Sequence, residues 1–139
     1  MRNFAIAVIA AGLLSAGLPA QAQGASSGAQ TFGVWSNPKG SVHVEIRPCG
    51  AGACGYVVWA NDKAKRDARE GGTQNLVGLQ IFRDLELDRS GVWRGKVFAP
   101  DMNRTFSGTA QQLDAGRLRA KGCVLGGLIC KSQVWTRVV

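Results

Sequence analysis

The stretch from Val42 to Trp59 constrains the fold of this chain more than any other. Val42, Val44 and Ile46 alternate with His43, Glu45 and Arg47. Beyond Pro48-Cys49-Gly50-Ala51-Gly52-Ala53-Cys54-Gly55 comes the compact run Tyr56-Val57-Val58-Trp59. Two strand patterns around a Gly-rich turn spell an antiparallel hairpin. Residues paired across antiparallel strands have Cα atoms about 4.5–5.5 Å apart, and a disulfide needs roughly 4.4–6.8 Å. Cys49 and Cys54 flank the turn and are therefore placed for a bridge.

The start of the chain sets the compartment. Met1-Arg2-Asn3 is basic, residues 4–18 are almost wholly apolar, and Pro19-Ala20-Gln21-Ala22 ends in Ala-x-Ala. This is the pattern of a secretory signal peptide, residues 1–22, cut after Ala22. The apolar run is shorter than the ~20 residues a membrane span needs. No transmembrane segment is expected once the leader is removed. The chain of 139 residues suits one domain, and its +8 formal charge falls to about +7 when Arg2 leaves. A basic exported chain points to anionic envelope surfaces rather than to nucleic acid. Four cysteines, Cys49, Cys54, Cys123 and Cys130, are an even count in an exported protein and imply disulfides. They allow three pairings, of which the short spacings favour Cys49 with Cys54 and Cys123 with Cys130. A four-Cys zinc site is the alternative, although neither spacing is that of the usual zinc pair.

The remaining segments continue the strand pattern. Residues 23–31 are small and polar and read as a flexible lead-in to a domain over residues 32–139. Residues 32–36, 76–87, 92–98, 104–113, 117–123 and 132–138 read as further strands joined by turns, with a bend near Asp84 and a left-handed turn residue at Asn103. Residues 61–75 break the pattern. There Asp62 caps a short helix ended by Gly71-Gly72, with Ala64 and Ala68 as its apolar face. Trp93, Gly95 and Val97 share one strand face and Arg94 and Lys96 the other. Arg117, Arg119 and Lys121 likewise oppose Leu118, Ala120 and Gly122. About eight strands, short turns and at most one short helix make an all-β fold, a small antiparallel up-and-down barrel. Its basic outer face carries Arg94, Lys96, Arg117, Arg119 and Lys121. Small inward residues taper such a barrel or leave room for a ligand.

Two resemblances follow. Gly33-Val34-Trp35 near the start and Arg137 near the end resemble the lipocalin or calycin pattern. That resemblance implies that Trp35 plugs one barrel end beneath the Arg137 guanidinium. The whole of residues 32–138 resembles the exported bacterial family called domain of unknown function 2147. The matching pieces are Gly33-Val34-Trp35, Cys49-Gly50 with Cys54-Gly55, Leu76-Val77-Gly78, Trp93-Arg94-Gly95-Lys96-Val97-Phe98, Pro100-Asp101, Thr105-Phe106, Gly122-Cys123, Cys130-Lys131-Ser132-Gln133 and Trp135-Thr136-Arg137. Phe98, Phe106 and Asn103 depart from residues common there. The resemblance implies a periplasmic, lipocalin-like barrel and supplies no activity.

No catalytic residue set is legible. His43 is the lone histidine, no Gly-x-Ser-x-Gly elbow occurs, and no phosphate loop or dinucleotide fingerprint is present. The cysteines are already assigned to bridges, which leaves no metal-ligand cluster. The pattern calls for no cofactor and no metal. The first reading is a non-catalytic binding module for a small apolar or amphipathic ligand, with Trp59, Trp93, Val97 and Leu118 as candidate wall residues and residues 61–75 as the rim. The second is an envelope interaction protein that uses the basic face, and the third is a hydrolase. We expect mass spectrometry of the exported protein to give an N-terminus at Gln23 and no free thiol. Non-reducing peptide mapping should join Cys49 to Cys54 and Cys123 to Cys130; a crossed pairing would remove the hairpin argument.

Overall fold

Each strand of this chain is half apolar, and the structure closes the strands so that all the apolar halves face one another. A computed structural model describes residues 28–139 together with Gly17. Apart from Gly17, the proposed signal peptide and its cleavage point lie outside the described residues. The elements are β1 (Gly33–Ser36), β2 (Val42–Cys49), β3 (Gly52–Ala60), α1 (Asp62–Glu70), β4 (Gln80–Leu87), β5 (Trp93–Ala99), β6 (Arg104–Asp114), β7 (Arg117–Val124) and β8 (Ile129–Arg137). The strands form a closed antiparallel barrel in sequence order, with β8 returning to β1. One end carries the starts of β1, β3, β5 and β7 and the end of β8. The other carries the β1–β2, β5–β6 and β7–β8 turns and the connection that contains α1.

Residues 28–31, expected to belong to a flexible lead-in, are instead part of the domain. A 3-10 turn over Ala29–Thr31 lies across the first end, and Thr31 is buried. Its carbonyl accepts from Trp35 Nε1 at 2.9 Å, its hydroxyl accepts from Trp93 Nε1 at 3.2 Å, and the same hydroxyl donates to Gln112 Oε1 at 3.2 Å. Trp35 is fully buried, and the Arg137 guanidinium lies 4.2 Å from its ring centroid. Arg137 also donates to Phe32 O at 3.0 Å, Ala115 O at 2.7 Å and Gln30 O. This end is therefore plugged. Ile46, Leu85, Leu118 and Phe82 fill the barrel behind the plug.

The other end is covered on one side only. Asn61, one residue before the expected cap, accepts from Ala64 N at 2.8 Å and starts α1. Of the helical spacings Asp62–Arg66, Lys63–Asp67 and Arg66–Glu70, Lys63–Asp67 forms an ion pair, at 2.7 Å, among the described residues. Ala68 is buried, and Thr73 just beyond the helix donates to Pro100 O at 2.9 Å. Leu76 to Leu79, expected in a strand, instead form a turn that buries Leu76. In β4 the bend falls at Asp84, whose φ of 52° marks an extra residue opposite β5. Asp and Asn visit this left-handed region more readily than other side chains.

Both disulfides are formed, Cys49–Cys54 and Cys123–Cys130, with Cα atoms 5.5 and 4.1 Å apart. The second joins directly opposed residues. The first is diagonal, because Cys54 pairs with Arg47 and Cys49 with Gly52. The loop between them is thus only Gly50-Ala51. Truncating a buried Trp costs about 3–5 kcal/mol. Trp35→Ala should leave little folded protein by circular dichroism, and Arg137→Ala should cost noticeably less in urea unfolding. Arg137→Lys should recover little, because lysine lacks the fork that reaches several carbonyls.

Candidate functional site

Side-chain alternation decides what faces the barrel interior, and two bulges change the parity. Trp59 shows this. Val44 pairs with Val57 and His43 with Trp59, so Val58 is an extra residue in β3. Val58 and Trp59 both turn outward, and Trp59 is 44% exposed with its ring centroid 4.6 Å from that of His43. Trp59 is therefore no cavity wall, against the sequence expectation. Trp93 and Leu118 are buried in the packed core towards the plugged end, and Val97 alone of the four candidates lines the open space. Among the described residues no hydrogen bond ties His43 to a serine or a carboxylate, and no group of three His, Cys, Asp or Glu side chains is placed to hold a metal.

The open space lies at the end that α1 leaves half covered. It is a cavity of about 410 Å3 between β5, β6, β7 and β8. Val97, Phe106, Ala120 and Gly122 form its apolar wall and Trp135 its floor. Residues 61–75, expected to form its rim, contribute none of the lining; they sit at the same end, where Thr73 donates to Pro100 O of the β5–β6 turn. Among the described residues, Trp135 Nε1 is the one buried side-chain donor without a partner, and its ring meets Phe82 edge-on at 5.8 Å.

Register makes two polar side chains part of this wall. Lys131 pairs with Gly122, Gln133 with Ala120 and Trp135 with Leu118. Directly opposed residues of an antiparallel pair share a face. Lys131 and Gln133 therefore point inward, on the row of Trp135, and both are exposed through the opening. The sequence carried this signal. Ile129, Lys131, Gln133 and Trp135 alternate with Cys130, Ser132, Val134 and Thr136, and the parity of Trp135 assigns the row.

The small inward residues divide into two kinds. A Cβ on Gly95 would lie 2.5 Å from Arg83 O and 2.7 Å from Asp84 O, because the β4 bulge folds against it. A Cβ on Gly122 would meet nothing nearer than Phe106 Cβ at 4.0 Å. Gly95 permits close packing, whereas Gly122 faces empty space.

The five expected basic residues all project outward, but not from neighbouring strands. Arg94 and Lys96 lie on β5 and Arg117, Arg119 and Lys121 on β7, with Ser107 and Thr109 of β6 between them. Two strand spacings put the rows about 10 Å apart. Arg94, Lys96 and Lys121 border a wide outer groove of about 1030 Å3 that also includes Arg104, and Arg117 and Arg119 are not part of its lining. Arg94 is held by Asp88 and Arg117 by Asp114, each at 2.7 Å. The Ser90 hydroxyl, the Val92 amide and Arg94 hold the Asp88 carboxyl far below the usual carboxylate range. Arg117 and the Gly116 amide lower that of Asp114. A third depression, about 740 Å3, lies over the plugged end beside Thr31 and Arg137 and is a surface hollow of the plug itself.

A family model described as "Uncharacterized protein conserved in bacteria (DUF2147)" matches residues 33–137. The chain belongs to this DUF2147 family. No curated protein matches it. Among solved structures it is similar to Protein HP1028 from the human pathogen Helicobacter pylori, described as belonging to the lipocalin family. The TM-score is 0.59 at 16% identity, covering 78% of this chain and 82% of that one. This DUF2147 member therefore shares a lipocalin-like fold, and the cavity occupies the interior of that barrel.

Overpacking against a fixed backbone costs about 1–3 kcal/mol. Gly95→Ala should lower the unfolding free energy measured in urea by that amount. Gly122→Ala should be neutral or slightly stabilising, because glycine in a strand loses more freedom on folding. Equal costs at the two positions would contradict an empty space beside Gly122.

Proposed function

We propose that this DUF2147 protein is a non-catalytic binding module for one small amphipathic molecule held in the open half of the barrel. The observation that carries the reading is the unfilled apolar wall at Ala120 and Gly122. Interiors are ordinarily packed to crystal density, so a space of this size beside small side chains needs an account. Its 410 Å3 falls within the range of small-molecule sites, about 300–1,000 Å3, and towards the lower bound. A single-chain or compact ring molecule suits that volume. The apolar body lies against Val97, Phe106 and Ala120, and Lys131 at the mouth meets an anionic head. The unpartnered N–H of Trp135 supports an acceptor on the buried part, since an unmet buried donor costs about 1–3 kcal/mol. Export to the periplasm belongs to the same reading, supported by the two disulfides, which persist in oxidising compartments.

A second reading assigns the outer groove between the β5 and β7 cations to an anionic envelope surface. Its support is the row of hydroxyls between two rows of positive charge. Arg94 and Arg117 are already neutralised by neighbours, which leaves Lys96, Arg119 and Lys121 of the five without ion pairs among the described residues.

The test uses two naphthyl probes, anionic anilinonaphthalene sulfonate and neutral phenylnaphthylamine. Each should bind the folded protein at about one site. Ala120→Phe should weaken both about tenfold while the thermal transition remains cooperative, because the ring takes the ligand's place. Lys131→Glu should weaken the anionic probe about tenfold and spare the neutral one, since like charges then face each other. If neither probe binds, or if Ala120→Phe leaves both unaffected, the cavity is not a binding site.

A further inference from the structure

The β7–β8 hairpin projects past the barrel and ends in apolar side chains that nothing in the fold covers. Leu128 is 85% exposed and Leu125 68%, with Ile129 and Val124 beside them. Met102, from the β5–β6 turn across the cavity, is 54% exposed. Met102, Val124 and Ile129 line the mouth of the cavity, and Leu125 and Leu128 carry the apolar patch on from Val124 along the turn, outside the cavity lining. Exposed apolar patches of this kind, bordered by polar groups, mark contact surfaces.

The backbone holds this tip in place at a local cost. Leu125 has a φ of 52°, followed by Gly126 at 66° and Gly127 at 94°. Glycine adopts such angles freely, but a bulky residue there is an outlier and stores strain. Glycine, asparagine or aspartate at position 125 would relieve the strain and remove the exposed apolar side chain. The Cys123–Cys130 bridge sits just behind the turn on the outer face and ties its two strands together. The tip is therefore braced outward.

Charge identifies what it fits. Lys131 stands on the cavity wall, and Lys121 and Arg104 border the base of the hairpin. Asp101, on the cavity mouth beside Met102, is the acidic group of this rim. Three cations against one carboxylate leave the rim positive, on a chain whose formal charge is +8. Apolar side chains that enter a lipid surface, flanked by cations that meet anionic head groups, are the two components of interfacial membrane binding. The turn also carries peptide groups that lipid cannot hydrogen-bond, which limits entry to the head-group layer.

We propose that the β7–β8 tip and Met102 dock on an anionic phospholipid bilayer, with the cavity mouth set against the head-group layer. An amphiphile then passes between bilayer and cavity without crossing open water. The docking surface extends the binding reading and does not depend on it.

The test is co-sedimentation of the full mature chain with phosphatidylcholine vesicles, with and without phosphatidylglycerol. The wild type should bind the anionic vesicles and lose binding as salt rises, because screening shortens to about 10 Å at 0.1 M. Leu125→Asp/Leu128→Asp should lower the bound fraction about tenfold, since both components are then reversed at the tip. Leu128→Asp alone, at the most exposed position, gives the same direction without touching the turn. Both variants should keep the affinity for phenylnaphthylamine, which reports the cavity independently of the tip. No binding to anionic vesicles at low salt, or binding by the double variant equal to wild type, overturns the proposal. So does loss of binding only when Arg94, Arg117 and Arg119 are changed to Glu, which assigns the membrane to the outer groove. Dimerisation in the absence of lipid that the tip substitutions abolish, without vesicle binding, assigns the tip to a second copy of this chain. Loss of probe binding by the wild type with vesicle binding intact removes the cavity reading and leaves the docking surface standing.

Discussion

The barrel is closed by one guanidinium over one indole. β1 has only four residues, and its register with β8 comprises just two pairs, Trp35 with Arg137 and Ser36 with Thr136. Backbone bonds from Val34 N to Val139 O at 3.0 Å and from Val138 N to Val34 O at 2.8 Å lengthen the seam past β8. Arg137 adds side-chain contacts to these, stacking on Trp35 and donating to carbonyls on both sides of the seam. Thr31 completes the arrangement by tying Trp35 and Trp93 to one residue. Aromatic mass, cation and hydrogen bonds are thus concentrated at a single end.

That concentration has a counterpart at the other end. The large side chains Trp35, Phe82, Ile46, Leu85 and Leu118 fill the plugged half. Towards the opposite end, the inward positions of β5 to β8 carry alanine, glycine, lysine and glutamine among a few apolar residues. A closed eight-strand sheet has a set width, so small residues on four adjacent strands leave volume unless another element enters. The helix enters at this end, where Ala68 packs into the core without lining the space. The cavity is what remains.

Much of this was legible in the residues. Alternation in Val42–Ile46 and Arg117–Gly122 assigned the correct faces, and turn chemistry separated the strands. The Gly33-Val34-Trp35 and Arg137 pair pointed to the barrel ends. What failed depended on single inserted residues. Val58 reverses the parity of Trp59, and Asp84 brings a strand backbone against Gly95. A period-of-two pattern does not reveal the bulge at Val58, because that extra residue is apolar like its neighbours; the bend at Asp84 was legible, but not that it packs against Gly95. The helix was legible from its caps and charges, but its position over one half of the opening depends on contacts such as Thr73 with Pro100, far apart in sequence. Lys131 and Gln133 went unassigned although their parity with Trp135 was readable, because polar residues are ordinarily given to the solvent face.

The order of the strands has a consequence for assembly. Seven of the eight strand pairings join sequence neighbours, and only β1 with β8 spans the whole barrel. Loop-closure entropy grows with the length of chain enclosed, so this seam is the contact least favoured at the outset. Until it forms, β1 and β8 are free edges, and free edges invite pairing with another chain. The disulfides lie in the β2–β3 and β7–β8 hairpins, one strand in from the first edge and at the second. Oxidation therefore stiffens the edge regions before closure, and conditions that keep the thiols reduced lengthen the interval in which the open sheet can aggregate.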